Sequence, residues 1–337
     1  MTATGASPLD GLIPPDKRGA VELALRSVRP GVELDAAERI TGGASGAGVF
    51  RLRAGGETLL LRIEKGRDAL NDPARQYICM RIAAAAGVAP AVLHADAEAG
   101  VALTAFIEAA PAEALDSGAR LALLAEAIRR LHAAPLFPPL MPYLDAMDSL
   151  AAGLAASGAL PAEAGARVQE AYATVSAAYR KLDADVVSSH NDLNRANVVF
   201  TADRAFVVDW ETAFAADRYV DLAAAANFFT LDDAGELALA SAYFGETPSP
   251  YRQGRLYLMR QINRVFYGVM LLQAFSGGRK LEDGDLDVPP LPEILRQLGA
   301  ERGPQGFVRL AMRFLLDAVE GARGPRLQAA LDAVGLA

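Results

Sequence analysis

Residues 186–211, VVSSHNDLNRANVVFTADRAFVVDWE, form the only β-like stretch in the later part of the chain, and helical patterns flank it on both sides. Two apolar runs, NVVF and FVVDW, enclose a short polar turn, which reads as a β-hairpin. A buried strand normally begins after glycine, proline or one turn-forming polar residue. Here His190, Asp192 and Asn197 crowd into eight residues against the apolar run. With the turn centred on Asp203, Asn197 and Asp209 lie six residues to either side and are expected to face each other at the open end of the hairpin. Asp192 lies on the loop leading in. Three oxygen-bearing side chains thus converge. Such ligands suit a hard cation, and Mg2+ commonly takes one or two protein groups plus substrate phosphates. On this reading Asn197 and Asp209 are metal ligands, and Asp192 is left to accept a proton from a hydroxyl.

Earlier in the chain, ITGGASGAGVFRLRAGGETLLLRIEKG reads as a second hairpin with a glycine-rich entry. Gly42, Gly43, Ser45 and Gly46 could bring backbone N–H groups close to phosphate, since glycine has no Cβ to interfere. Arg62 interrupts an otherwise apolar strand and needs an anionic partner, for which nucleotide phosphates are suited. NDPARQYICMRIAAAAGVAP is a capped helix stopped by Gly87 and Pro90, and AVLHADAEAGVALTAFIE reads as two further strands. Beyond about residue 108 helix dominates, as in LALLAEAIRRLH and in tracts near 162–181 and 232–275. The expected class is α+β with two lobes and a cleft: a small N-terminal antiparallel-sheet lobe over 1–107, of which 1–15 is a loose leader, and a larger, mostly helical C-terminal lobe over 108–337.

Of the 337 residues, 52% are hydrophobic, enough for one large core or two unequal ones. A net charge of −8 argues against nucleic acid or an anionic membrane as partner, and no charge-free apolar run of membrane-spanning length is present. The opening segment lacks the basic and apolar regions of a signal peptide, and a single cysteine, Cys79, excludes an intrachain disulfide framework. The expected location is cytoplasmic. Nothing in the sequence sets the oligomeric state.

The combination resembles the protein-kinase-like fold, in its choline/ethanolamine kinase and aminoglycoside phosphotransferase branch. His190-Asn191-Asp192-Leu193 with Asn197 resembles that branch's H-x-D-x-x-x-x-N catalytic loop, and Val208-Asp209-Trp210-Glu211 its metal-binding segment. The resemblance implies Asp192 as catalytic base, Asn197 and Asp209 as Mg2+ ligands, and ATP as phosphoryl donor. It further implies adenine contacts near Phe106 and Ile107, phosphate contacts from Arg62 and the 42–48 loop, and structural support from His190 and Asp221. The HND and DWE triplets favour choline or ethanolamine kinase relatives, because aminoglycoside enzymes more often carry HGD. LMRQINRVFYGVMLLQ resembles the helix lining the acceptor side in choline kinase-like proteins. Two positions depart from the wider fold. Arg62 stands where lysine is usual, and Gln76 where a helix glutamate pairs with it, so an Arg62–Gln76 hydrogen bond replaces an ion pair.

The implied activity is ATP- and Mg2+-dependent phosphoryl transfer to a hydroxylated small molecule, with a cationic amino alcohol such as choline or ethanolamine favoured. Glu211 would face the cation, and aromatic groups such as Trp210, Tyr219, Phe266 and Tyr267 could cage it. Aminoglycosides, thiamine-like alcohols and other metabolites are alternative acceptors. A nucleotide-binding pseudokinase, motivated by Gln76, is an alternative of another class. Each residue also has an ordinary reading: Arg62 as a strand residue reaching solvent, Trp210 as core filling, Glu211 as exposed or paired. The ordered set of motifs favours the kinase reading over these.

Overall fold

The computed structural model describes residues 7–40, 47–68, 71–300 and 303–336. Gly42, Gly43, Ser45 and Gly46, the expected phosphate-contacting residues of the glycine-rich loop, lie outside them. In chain order the N-terminal elements are α1 (Arg18–Val28), β1 (Leu34–Arg39), β2 (Gly48–Ala54), β3 (Glu57–Ile63), α2 (Pro73–Ala85), β4 (Val92–Asp96), β5 (Val101–Ala105) and α3 (Ser117–His132). Then come α4 (Tyr143–Ser157), α5 (Ala162–Tyr179), β6 (Val186–Ser189), β7 (Val198–Phe200), β8 (Ala205–Val207) and β9 (Phe214–Asp217). The chain ends with α6 (Arg218–Phe229), α7 (Asp233–Phe244), α8 (Pro250–Phe275), α9 (Leu291–Ala300), α10 (Pro304–Gly321) and α11 (Pro325–Ala333). Two compact units result: Met1–Leu140 with Arg195–Ala215, and Met141–Asn194 with Ala216–Ala337.

The first unit is built on a five-stranded antiparallel sheet in the order β1-β2-β3-β5-β4. Ala54 pairs with Glu57, so Gly55 and Gly56 form the β2–β3 turn, both at positive φ, where a side chain would be strained. Alternation along β3 sends Leu59, Leu61 and Ile63 into the core and Leu60 and Arg62 to the other face. The core side is closed by Val21 and Ala24 of α1 and by Leu9 and Ile13. The expectation of a loose leader over residues 1–15 is therefore corrected for its described part. Its Gly, Pro and Thr content hides two apolar anchors, and burying each contributes roughly 1.5–3 kcal/mol against the cost of ordering the segment.

The hairpin of β7 and β8 also belongs to this unit and is fixed by two outside hydrogen bonds. Val207 N donates to Val88 O at 2.8 Å, and Ala110 N donates to Phe200 O at 2.8 Å. Its register pairs Val198 with Val207 and Phe200 with Ala205. Thr201 and Arg204 close the turn through Thr201 N to Arg204 O (2.8 Å) and Arg204 N to the Thr201 hydroxyl (3.1 Å). This four-residue turn shifts the expected register by one. Val208, not Asp209, lies opposite Asn197, with Val208 N donating to Asn197 O at 2.9 Å.

The second unit is helical and centres on α8, which is buried along most of its length. Gly268 allows α10 to approach: a Cβ there would lie 2.5 Å from Leu315. The helical tract expected over 232–275 is two helices, because Gly245 adopts a left-handed φ of 72° and Pro250 starts the next helix. Polar groups buried among α6, α7 and α8 satisfy one another. Arg260 Nε donates to Asn227 Oδ1 (3.1 Å), Asn227 Nδ2 donates to Asn263 Oδ1 (3.1 Å), and Arg260 pairs with Glu236. No helix among the described residues is long and apolar enough to cross a membrane.

Candidate active site

Among the described residues only two non-glycine residues have positive φ: Asn191 at 65° and Asp209 at 66°. Both fall in the two polar segments singled out from the sequence. Left-handed backbone at a non-glycine residue costs of order 1–3 kcal/mol and persists where the surroundings enforce it, often at functional sites.

In the second unit, the enforcement at Asn191 comes from Asp221 in the first turn of α6. Fully buried, its carboxylate accepts His190 N at 2.9 Å and Asn191 N at 2.8 Å, gripping the loop through backbone. Asp192 follows, half-buried, and its N–H donates to His190 Nδ1 at 3.3 Å. Its Oδ1 accepts from Asn194 Nδ2 at 3.0 Å and from the Tyr267 hydroxyl of α8 at 2.8 Å. Burial, and then the charge of Asp192, hold the Tyr267 hydroxyl well above its ordinary pKa, so it remains a donor. Phe228 packs edge-on against the Tyr267 ring at 4.6 Å and Phe266 at 5.0 Å, fixing that donor in place. Tyr267, expected as an acceptor-binding residue, thus has its hydroxyl on the candidate base.

In the first unit, Asn197 is buried immediately before β7, and Asp209 lies just past β8. Arg62 directs its nitrogens to carboxylates and not to Gln76, which corrects the expected Arg62–Gln76 hydrogen bond. Nε bonds Glu64 Oε1 at 2.5 Å, Nη1 lies 2.9 Å from Asp209 Oδ1, and Nη2 bonds Glu211 Oε2 at 2.9 Å. Glu64 stands two residues along the strand direction, and that period places it on the Arg62 face. Burial lowers the Arg62 guanidinium, but the charges of Asp209, Glu64 and Glu211 outweigh burial and raise it. Burial and the neighbouring Asp209 push Glu211 up to about 7, against the pull of Arg62.

The Asp209–Glu211 turn has a second support. Arg75 of α2 is buried and donates to Glu211 O at 2.9 Å and to Ala213 O. Trp210, 4% exposed, is enclosed edge-on against Phe137. Phe106 and Ile107 follow β5 half-buried, with Arg51 over the Phe106 ring at 4.6 Å. Neither Glu64 nor Arg75 was singled out from the sequence. The only available signals were a charge ending a buried strand and a cation within an apolar helix.

This donor set fits a hard divalent cation. Asp209 Oδ1 is buried and lies 2.9 Å from Arg62 Nη1 without the geometry of a hydrogen bond, so the ion pair leaves a lone pair for a ligand. Asn197 and Asp209 are an amide and a carboxylate, the oxygen types Mg2+ takes from protein.

Residues 36–257 match the model of the family described as phosphotransferase enzyme family, from β1 into α8. The chain belongs to that family. It is an enzyme, a small-molecule kinase. No curated protein sequence matches this phosphotransferase. Among solved structures, a choline/ethanolamine kinase family protein from Mesorhizobium loti is 23% identical with a TM-score of 0.70, covering 95% of this chain and 100% of that one. Choline kinase LicA from Streptococcus pneumoniae is 16% identical with a TM-score of 0.64, covering 90% and 98%. A spectinomycin phosphotransferase in complex with ADP and spectinomycin is 15% identical with a TM-score of 0.55, covering 88% and 98%. The phosphotransferase therefore has the α+β, protein-kinase-like fold, with an antiparallel-sheet lobe and a larger helical lobe.

Proposed function

We propose that this phosphotransferase moves the γ-phosphoryl group of ATP to a hydroxyl of a cationic amino alcohol, of the choline or ethanolamine class. The observation that carries the reading is the Asp192 carboxylate. Two donors, Tyr267 and Asn194, hold Oδ1 and orient it. A carboxylate held in place in an H-x-D loop is what a general base for a hydroxyl needs. The acceptor oxygen attacks the γ-phosphorus, its proton passes to Asp192, and ADP leaves.

Nucleotide contacts come from residues 1–107. Arg62 takes phosphate oxygens, the 42–48 loop covers them, and backbone near Phe106 and Ile107 holds adenine. Asn197 and Asp209 would hold Mg2+, which neutralises phosphate charge when bound. Glu211 offers negative charge to the acceptor's ammonium. Trp210 is enclosed against Phe137 and is not assigned to the acceptor. The acceptor class draws support from the fold likeness to choline/ethanolamine kinase proteins and from the HND and DWE triplets. A nucleotide donor draws support from ADP in the spectinomycin phosphotransferase structure.

The test is ADP release from Mg2+-ATP across choline, ethanolamine, thiamine, amino sugars and aminoglycosides. Acceptor-dependent turnover with choline or ethanolamine, lost in Asp192→Ala, is expected. Turnover confined to an aminoglycoside would replace the acceptor class. Nucleotide binding with no turnover on any acceptor would overturn the catalytic reading.

A further inference from the structure

Three carboxylates surround the Arg62 guanidinium, and their positions are not equivalent. Glu64 takes Nε at 2.5 Å, and its side chain is only 8% exposed beside an Arg62 side chain 13% exposed. Asp209 and Glu211 meet the two terminal nitrogens at 2.9 Å and keep 25% and 27% of their side-chain surface. One edge of the guanidinium is therefore clamped inside, while its terminal fork points to more accessible groups. That planar fork is the part of arginine that matches phosphate oxygens. A grip on Nε sets the plane of the guanidinium and so aims both terminal nitrogens at once.

Glu64 is itself held at the sheet, its N–H donating to Gly100 O at 2.8 Å. The charges do not balance internally: one guanidinium meets three carboxylates, an excess that further cation at the site would offset. A pair formed only for stability needs one carboxylate, not three.

We infer that Glu64 is the positioning residue that aims Arg62 at nucleotide phosphates, supplying from the strand a carboxylate that Gln76 of α2 does not. The inference rests on the proposed kinase activity. It gives the nucleotide site an internal support in the strand, and makes α2 a clamp on the Asp209–Glu211 turn through Arg75 instead of a partner of Arg62.

The experiment compares ADP affinity by calorimetry in wild type, Glu64→Gln and Gln76→Ala, alongside melting temperature without nucleotide. Glu64→Gln is expected to weaken ADP about tenfold, Gln76→Ala less than about twofold. The KM for ATP should rise in Glu64→Gln while the KM for acceptor stays put, which a merely structural role would not produce. The melting temperature of Glu64→Gln should hold, because removing one of three clustered negative charges relieves repulsion. If Glu64→Gln fails to fold, Glu64→Asp keeps the charge, shortens its reach, and should weaken ADP at least about threefold. Wild-type ADP binding with unchanged affinity in the Glu64 variants overturns the inference and leaves the kinase reading intact. Equal losses in Gln76→Ala, or a loss that tracks a fall in melting temperature, also overturn it. A wild-type protein that binds no ADP overturns both.

Discussion

The segment bearing Asp192 and the segment bearing Asp209 carry the same backbone strain, yet they are held by different chemistry. Around Asp192 the supports are a buried carboxylate gripping two backbone N–H groups and two neutral donors on the acid itself. Around Asp209 they are cations: Arg62 against its side chain and Arg75 on the carbonyls of the following turn. The contrast suits the roles proposed for the two carboxylates. A proposed proton acceptor has to be oriented, and the Tyr267 and Asn194 donors do that. A proposed metal ligand would lie where negative charge accumulates, and a nearby cation such as Arg62 offsets that charge.

The strongest way to break the comparison is Asp192→Ala. Turnover is expected to fall on the order of 10²–10⁴-fold with ADP affinity within about twofold of wild type. A matching loss of ADP affinity, read by calorimetry, would mean that the two segments do not divide the work in this way. Next is Arg75→Met, which removes a charged donor from two carbonyls and should cost about 3 kcal/mol in urea denaturation. Unchanged stability would show that the Asp209 turn holds itself. Asp221→Asn keeps the shape but can accept only through one oxygen, leaving a buried N–H without a partner. About 1–3 kcal/mol of stability should go, with kcat falling more than the KM for ATP rises. The smallest effect is expected from Tyr267→Phe. With Asn194 still donating to the same oxygen, kcat should drop by no more than about tenfold and the melting temperature should barely move. A thousandfold loss there would make Tyr267 a participant in the chemistry and not a support.

The loop before NVVF, the hairpin that follows it and several of the strands and helices could be read from the sequence because each signal is local. Their signals lie within a few residues: HND before NVVF, paired glycines in a turn, an Asp-Pro helix start. What escaped is long-range or register-dependent. Arg75 reaches Ala213 across 138 residues, and nothing near either residue announces the contact. Glu64 looked like the charged end of a strand, and its meaning depends on which way Arg62 turns. The hairpin register shifted by one because the Thr201 hydroxyl closes a four-residue turn. β1, LDAAER, lacks the apolar alternation of a strand and pairs because it edges the sheet. Leu9 and Ile13 were concealed by the Gly- and Pro-rich stretch around them, although packing against the sheet decides their position.

The two left-handed residues set opposite fates under selection. Glycine adopts this backbone without strain, so a library enriched only for heat resistance should drift toward glycine at both 191 and 209. At 191 the change would keep the grip of Asp221, which holds main chain that glycine also has. At 209 the same stabilising change would delete the oxygen proposed to hold the metal, and on that reading the hardiest survivors would be the inactive ones.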